Sequence, residues 1–302
     1  MGVYDDKNKP PSPVVIGHWP GGTTISGGTR NTVDLNKLSR PWQREIELPL
    51  SHACAFCSKL FPEQILEELD GPNGEKWLRI QNMFSPFDPE RTGKHQLIIP
   101  KTCMPVERLR ALGGAEAIEF VLKTGIDDII SHGDKRSEWI ISVHIGALSG
   151  QNIPHLHWHF IKINEPNPPN FDWTEINRQR KNLVILKNSD VEITAGGLRT
   201  GQCLISVSPD ANFPGIAQAL SNLVNIGNGR FKSVQGLPPD FSLALYCGYD
   251  YSTLYRYTEL DFGIYTPILN NLGGTEMLAP YLGTPYCLAW PHEMTAKHLR
   301  GE

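Results

Sequence analysis

No apolar run in this chain of 302 residues approaches the roughly 18 residues that a bilayer-crossing helix needs. The first residues, MGVYDDKNKPPSPVV, lack the basic start and apolar core of a secretory leader, and Asp6 stands where a myristoylation signal wants Ser or Thr. The six cysteines are sparse and unevenly spaced, unlike a disulfide framework. A cytoplasmic protein with no membrane attachment is therefore expected. Positive charge is not in excess either. A net charge of −4 leaves no electrostatic footprint for duplex nucleic acid, so nucleic acid is not an expected partner. An anionic ligand has to be held by local dipoles and a few side chains. Walker loops, kinase signatures and dinucleotide fingerprints are missing as well. What remains is ordinary globular material, 40% hydrophobic and 20% charged, and enough of it for one large or two ordinary domains.

Residues 1–40 are rich in Gly, Pro, Thr and Asn and read as an extended arm with little core of its own. Compact order is expected from about Trp42. Strands are expected at 77–83 (WLRIQNM), 95–100 (HQLIIP), 138–147 (EWIISVHIGA) and 155–163. Between the second and third of these, Val106, Leu109, Leu112, Ile118, Val121 and Leu122 recur at helical spacing through 105–132. The later sequence repeats the plan. QCLISVSPDANFPGIAQALSNLV from 202 echoes HQLIIPKTCMPVERLRALGGAEAIEFV from 95, FSLALYCGYD echoes EWIISVHIGA, and ELDFGIY echoes HLHWHFI. The expected organisation is thus an arm (1–40), an equipped half (41–165) and a degenerate half (166–302) that completes the pocket, forming an intrachain pseudo-dimer.

The strongest chemical signal is Pro154-His155-Leu156-His157-Trp158-His159-Phe160-Ile161. Three histidines alternating with apolar residues on a strand share one face. Packing alone rarely sets three imidazoles side by side, because each needs hydrogen-bond partners when buried and together they repel when protonated. An imidazole on a rigid strand is a competent nucleophile toward phosphorus. Just before it, Gly150 permits close backbone approach, while Ser149, Gln151 and Asn152 offer neutral donors to a phosphate.

His-x-His-x-His followed by two apolar residues resembles the signature of the histidine-triad superfamily. Gly150-Gln151 ahead of it, and the strand Gly93-Lys94-His95-Gln96-Leu97-Ile98-Ile99-Pro100-Lys101, are similar to that family's loop and its upstream strand. With its length and two-half plan, the chain looks like the branch of galactose-1-phosphate uridylyltransferases and dinucleoside tetraphosphate phosphorylases. The resemblance implies an α+β fold, an antiparallel sheet with helices. It implies His157 as the nucleophile of a covalent nucleotidyl-histidine intermediate, with His159 contacting phosphate or leaving group and Gln151 and Asn152 on the phosphate oxygens. Asn82 and Phe84 would line the base pocket, with Phe87 beside them. A nucleotide or nucleotide-sugar is the implied substrate, bound by a monomer or homodimer. Uridylyltransferases usually carry Gln at the third triad position. His159 departs from that pattern and keeps a hydrolase of the same intermediate, or a fold recruited to other chemistry or to binding alone, in play.

Cys54-Ala55-Phe56-Cys57 is the second signal. Its flanks fit a redox motif poorly, whereas two cysteines with two later ligands form a familiar closed zinc shell. The family resemblance implies a third ligand two residues after Pro-Lys, which is Cys103, and a fourth at the first triad histidine, His155. His95 and His52 are rivals for the third place. Four protein ligands imply structural zinc. Cys203, Cys247 and Cys287 read as buried small hydrophobes, and His144 as a satisfied core histidine. Glu259 and Asp261 mark the second half as catalytically dead. Gly273-Gly274-Thr275-Glu276 reads as a turn, and Trp290-Pro291-His292-Glu293 as the start of a final helix.

Overall fold

A computed structural model describes residues 12–19, 22–28, 54–58, 60, 62–82, 92–132, 138–146, 149, 151, 153–163, 183–195, 202–208, 210–231, 240–248, 257–261 and 292–302. Within the N-terminal arm, β1 (Ser12–Trp19) and β2 (Gly22–Gly28) form an antiparallel hairpin. A short helix, α1 (Ala55–Ser58), carries the second cysteine of the C-x-x-C pair. Then come β3 (Ile65–Asp70), β4 (Lys76–Gln81), β5 (Thr92–Pro100), α2 (Val106–Arg110), α3 (Ala115–His132), β6 (Glu138–Ile145) and β7 (Trp158–Ile163). The later elements are β8 (Val184–Lys187), β9 (Val191–Ala195), β10 (Gln202–Val207), α4 (Phe213–Arg230), β11 (Phe241–Gly248), β12 (Tyr257–Asp261) and α5 (His292–Arg300). The fold is α+β, and no helix among the described residues is long and apolar enough to cross a membrane.

Ten strands make one antiparallel sheet in the order β3-β4-β5-β7-β6-β11-β12-β10-β9-β8. Outward from the β6–β11 pair, the two runs of five strands follow the same order of connection. Each has an outer hairpin, a third strand leading to a long helix, and a returning pair. One rung of residues runs through the middle of the sheet, with His159 opposite Ser142, Ser142 opposite Ala244 and Ala244 opposite Glu259.

Alternation along the strands sorts the side chains between two faces. Trp77, Ile98, Trp158, Ile141, Val143, Leu243, Leu245, Ile193 and Ile205 form a continuous core with Ile118, Val121 and Leu122 of α3 and Leu220, Leu223 and Val224 of α4. Each large side chain buried there contributes about 1.5–3 kcal/mol of transfer free energy. Helices α3 and α4 pack on that face. On the opposite face Leu78, Ile80, Leu97 and Ile99 make a smaller cluster that Phe56 and Leu60 cap. That face also carries the triad.

The strands expected at 77–83, 95–100 and 138–147 are present with shifted ends. The helical periodicity of 105–132 belongs to two helices, because Leu112, Gly113 and Gly114 all take positive φ (57°, 81° and 94°) between α2 and α3. A left-handed leucine costs ~1 kcal/mol, which the complete burial of Leu112 offsets. α4 starts where Asn212 accepts a hydrogen bond from the Gly215 amide at 2.9 Å, with Pro214 in the first turn. Asp190 fixes that cap by accepting from both the backbone and side-chain nitrogens of Asn212, each at 2.8 Å.

Candidate active site and metal centre

β7 begins at Trp158, so of the triad only His159 lies in a regular strand. His155 closes a bend (its amide donates to the Ile153 carbonyl at 2.7 Å) and His157 follows in the segment that leads into the strand; both are buried. His155 turns its Nδ1 toward three sulfurs: Cys54 Sγ at 3.3 Å, Cys103 Sγ at 3.3 Å and Cys57 Sγ at 3.5 Å. The four ligand atoms lie within 4.8 Å of one another. Zinc bonds of ~2.3 Å to sulfur and ~2.0 Å to nitrogen, arranged tetrahedrally, put ligand atoms ~3.5–3.8 Å apart, close to what the side chains adopt here. The other ring nitrogen of His155, Nε2, donates to the Pro100 carbonyl at 2.7 Å. A carbonyl only accepts, so Nδ1 carries the lone pair that a metal requires. Burial raises the Cys54 and Cys103 thiols above their ordinary range, the other sulfurs raise Cys103 further, and burial lowers His155. A divalent cation among them compensates those costs. The donor set therefore fits zinc, with Cys103 in the third place. His95 lies elsewhere, and His52 is outside the described residues.

His157 is not among those ligands. Its Nδ1 donates to the His155 carbonyl at 2.6 Å, leaving Nε2 with the lone pair. Burial pushes this imidazole down to about 4, so the ring is neutral. The His155 carbonyl also accepts from Gln151 Nε2 at 3.3 Å, and Gln151 Oε1 accepts from the Gly146 amide at 2.7 Å. Ser149 Oγ donates to the Gly146 carbonyl at 2.7 Å. Gln151 and Ser149 thus have partners within their own loop. Gly150, Asn152, Phe84 and Phe87 lie outside the described residues.

Beside the nucleophile is a cluster of rings. His159 has its ring centre 5.1 Å from that of His157, 5.2 Å from His95 and 5.6 Å from His144. His95 Nε2 and His159 Nδ1 are 2.9 Å apart, and Asn82 Nδ2 lies 3.0 Å from the same His95 nitrogen. Asn82 therefore stands against His95, next to the triad. His144 Nδ1 is 2.8 Å from Ser242 Oγ, so the pair spans the β6–β11 seam. Phe56, one residue before Cys57, sets its ring edge-on to both His155 and His157, 5.5 Å from each, and so fills the space between metal site and nucleophile. The sequence reading passed over Phe56, His95 as a partner of His159, and the His144–Ser242 pair. Strand alternation from His159 through Leu97 to His95 was the available signal for the second of these.

No protein-family model matches the chain, and no curated protein does. Solved structures do. An ADP-glucose phosphorylase from Arabidopsis thaliana with bound ADP-glucose superposes with a TM-score of 0.59 at 14% identity, covering 96% of this chain and 99% of that one. A galt-like protein from Arabidopsis thaliana gives 0.57 at 16% identity, covering 83% and 92%. A uridylyltransferase mutant gives 0.53 at 12% identity, covering 84% and 94%. At such identities the likeness establishes the fold alone: the chain shares the fold of these structures.

Proposed function

We propose that the chain is a nucleotidyltransferase or phosphorylase that acts on a nucleotide-sugar or dinucleotide phosphate through a nucleotidyl group held on His157. The observation that carries this reading is the 2.6 Å bond from His157 Nδ1 to the His155 carbonyl, which leaves Nε2 of a neutral ring with the lone pair. That nitrogen attacks the α-phosphorus. The new N–P bond forms as the P–O bond to the leaving group breaks, and the leaving group departs with the electron pair as a phosphate oxyanion. The imidazole becomes cationic, and its Nδ1–H bond to the carbonyl becomes charge-assisted, stabilising the intermediate. An acceptor phosphate oxygen then attacks phosphorus and releases the ring.

His159, braced by His95, contacts the phosphate or the leaving group, and Gln151 offers its second amide hydrogen to the phosphoryl oxygens. Ser149, Gly150 and Asn152 complete the phosphate side, with Asn82 and Phe84 toward the base. Cys54, Cys57, Cys103 and His155 hold zinc as a structural ion that ties the triad segment to α1 and to the turn after β5. In this reading 41–165 supplies the chemistry, and 166–302 is a degenerate repeat that completes the pocket. The common strand order of the two runs supports that division. The ADP-glucose bound to the similar phosphorylase supports a nucleotide-sugar donor. A hydrolase, with water as acceptor, is the second reading, favoured by an imidazole rather than an amide at position 159.

Intact-protein mass after brief incubation with UDP-glucose, ADP-glucose, GDP-hexose, dinucleoside tetraphosphate or ATP tests the proposal. A nucleotide-sized adduct on the wild type and none on His157→Ala is the expected result. Turnover of a donor with full activity in His157→Ala overturns it.

A further inference from the structure

A half-buried ion pair joins the two runs of strands next to the nucleophile's loop. Arg110, at the end of α2, has a guanidinium nitrogen 3.3 Å from Asp240 Oδ1, just ahead of β11, and the two side chains are 12% and 10% exposed. The Arg110 backbone is held from the same side, its carbonyl accepting from Asn228 Nδ2 of α4 at 2.9 Å. The Asp240 carboxylate lies directly against the Cα of Gly146, where any Cβ would collide with it. Gly146 has φ of 91°, a conformation that a side chain would strain as well. This glycine is the hub of the loop. Its amide donates to Gln151 Oε1 at 2.7 Å, and its carbonyl accepts from Ser149 Oγ at 2.7 Å and from the Gln151 amide at 3.2 Å. Gln151 in turn donates to the His155 carbonyl, the group that orients His157.

We infer that Asp240 is a positioning residue for the nucleophile, acting through Gly146 and Gln151 on the carbonyl that fixes the His157 ring. The inference rests on the reading of His157 as nucleophile, and it gives the second half a role in the chemistry. A half-buried carboxylate packed against a glycine is confined, because its partner Arg110 is itself held through its backbone by Asn228. The peptide of Gly146 is thereby pinned, and the hydrogen bonds that leave it are pinned with it. Chains of this kind lose rate through orientation, where displacements well under 1 Å matter.

The test pairs kinetics with a readout that needs no substrate. In single-turnover adduct formation, Asp240→Asn is expected to slow the step about 10-fold with KM and zinc content unchanged. Gln151→Met should slow it more. The double variant should be no slower than Gln151→Met alone, because both changes cut one chain. Multiplicative losses, or an Asp240→Asn rate within twofold of wild type, overturn the inference. In parallel, the 15N-linked proton signal of the His157 Nδ1–H is followed in wild type, Asp240→Asn and Lys187→Ala, an exposed variant on the far edge strand β8. The signal should move in Asp240→Asn alone. An unmoved signal overturns the inference even if no donor ever labels the wild type, a result that would instead remove the nucleotidyl reading. Should Asp240→Asn not accumulate folded, Arg110→Gln is expected to shift the same signal in the same direction, and an unmoved signal there overturns the inference equally.

Discussion

The His155 carbonyl oxygen receives the Nδ1–H of His157 across 2.6 Å, while the ring of the same His155 turns its own Nδ1 to three cysteine sulfurs. One residue therefore serves the metal centre with its side chain and the nucleophile with its backbone. The two functions are coupled in space yet separable by mutation. Replacing His157 by Ala removes the nucleophile and leaves every sulfur and the His155 ring in place. Zinc content measured by mass spectrometry of the metal should equal that of wild type, while donor turnover falls by about 10³-fold or more.

Removing a metal ligand should act the other way round. Cys54→Ser leaves a buried hydroxyl where a thiolate completes the shell, and structural zinc contributes directly to folding free energy. The expected loss is about 3 kcal/mol, or ~5 °C in Tm for a chain of this length, with zinc below one equivalent per chain. Prolonged treatment of the wild type with a strong chelator should reproduce the lower Tm. Unchanged zinc in Cys54→Ser would refute the ligand set.

Much of this was legible before the coordinates. A Pro-flanked run of alternating histidines and a C-x-x-C pair are local signals, and local signals survive without an alignment. Cys54, Cys57, Cys103 and His155 were named together, and they converge to within 4.8 Å. What escaped was non-local or conformational. β3 and β8 carry short, exposed or half-buried patterns (ILEELD, VILK) with too little apolar alternation to read as strands alone, and β9 (VEITA) alternates over only five residues. The break at Leu112 was hidden by an apolar residue in helical phase that adopts a glycine-like φ. His144 read as a core histidine because nothing in the sequence says that Ser242, 98 residues on, stands opposite it. The seam between β6 and β11 is a pairing that local pattern does not encode.

The His95–His159 contact should matter for rate more than for stability. His95 Nε2 and His159 Nδ1 are 2.9 Å apart, so His95 selects the tautomer and tilt of the ring that faces the phosphate. His159→Ala should lower kcat/KM for the donor by about 10²-fold, as loss of one preorganised donor to a phosphoryl group does. Replacement of His95 by Ala should lower it by about 10-fold, the worth of one oriented hydrogen bond. In the double variant the losses should not multiply, because His95 acts through His159. Steady-state kinetics on the four proteins checks this, and multiplicative losses would show that His95 acts on its own.

Packing between α3 and β7 sets the platform on which the triad stands, and it has no slack. A Cβ built on Gly125 would run into the ring of Phe160, whose neighbour His159 belongs to the site. Glycine inside a helix costs ~1 kcal/mol relative to alanine, so Gly125→Ala would stabilise an exposed helix. Here the methyl group must push an aromatic side chain that is only 3% exposed and tightly enclosed. Overpacking of this kind costs about 1–3 kcal/mol and exceeds the helix gain. The variant should therefore unfold at lower denaturant with an unchanged m-value, which chemical denaturation followed by tryptophan fluorescence measures. A variant as stable as wild type would mean that the ring moves aside at no cost, and that the helix is less firmly seated on β7 than its burial indicates.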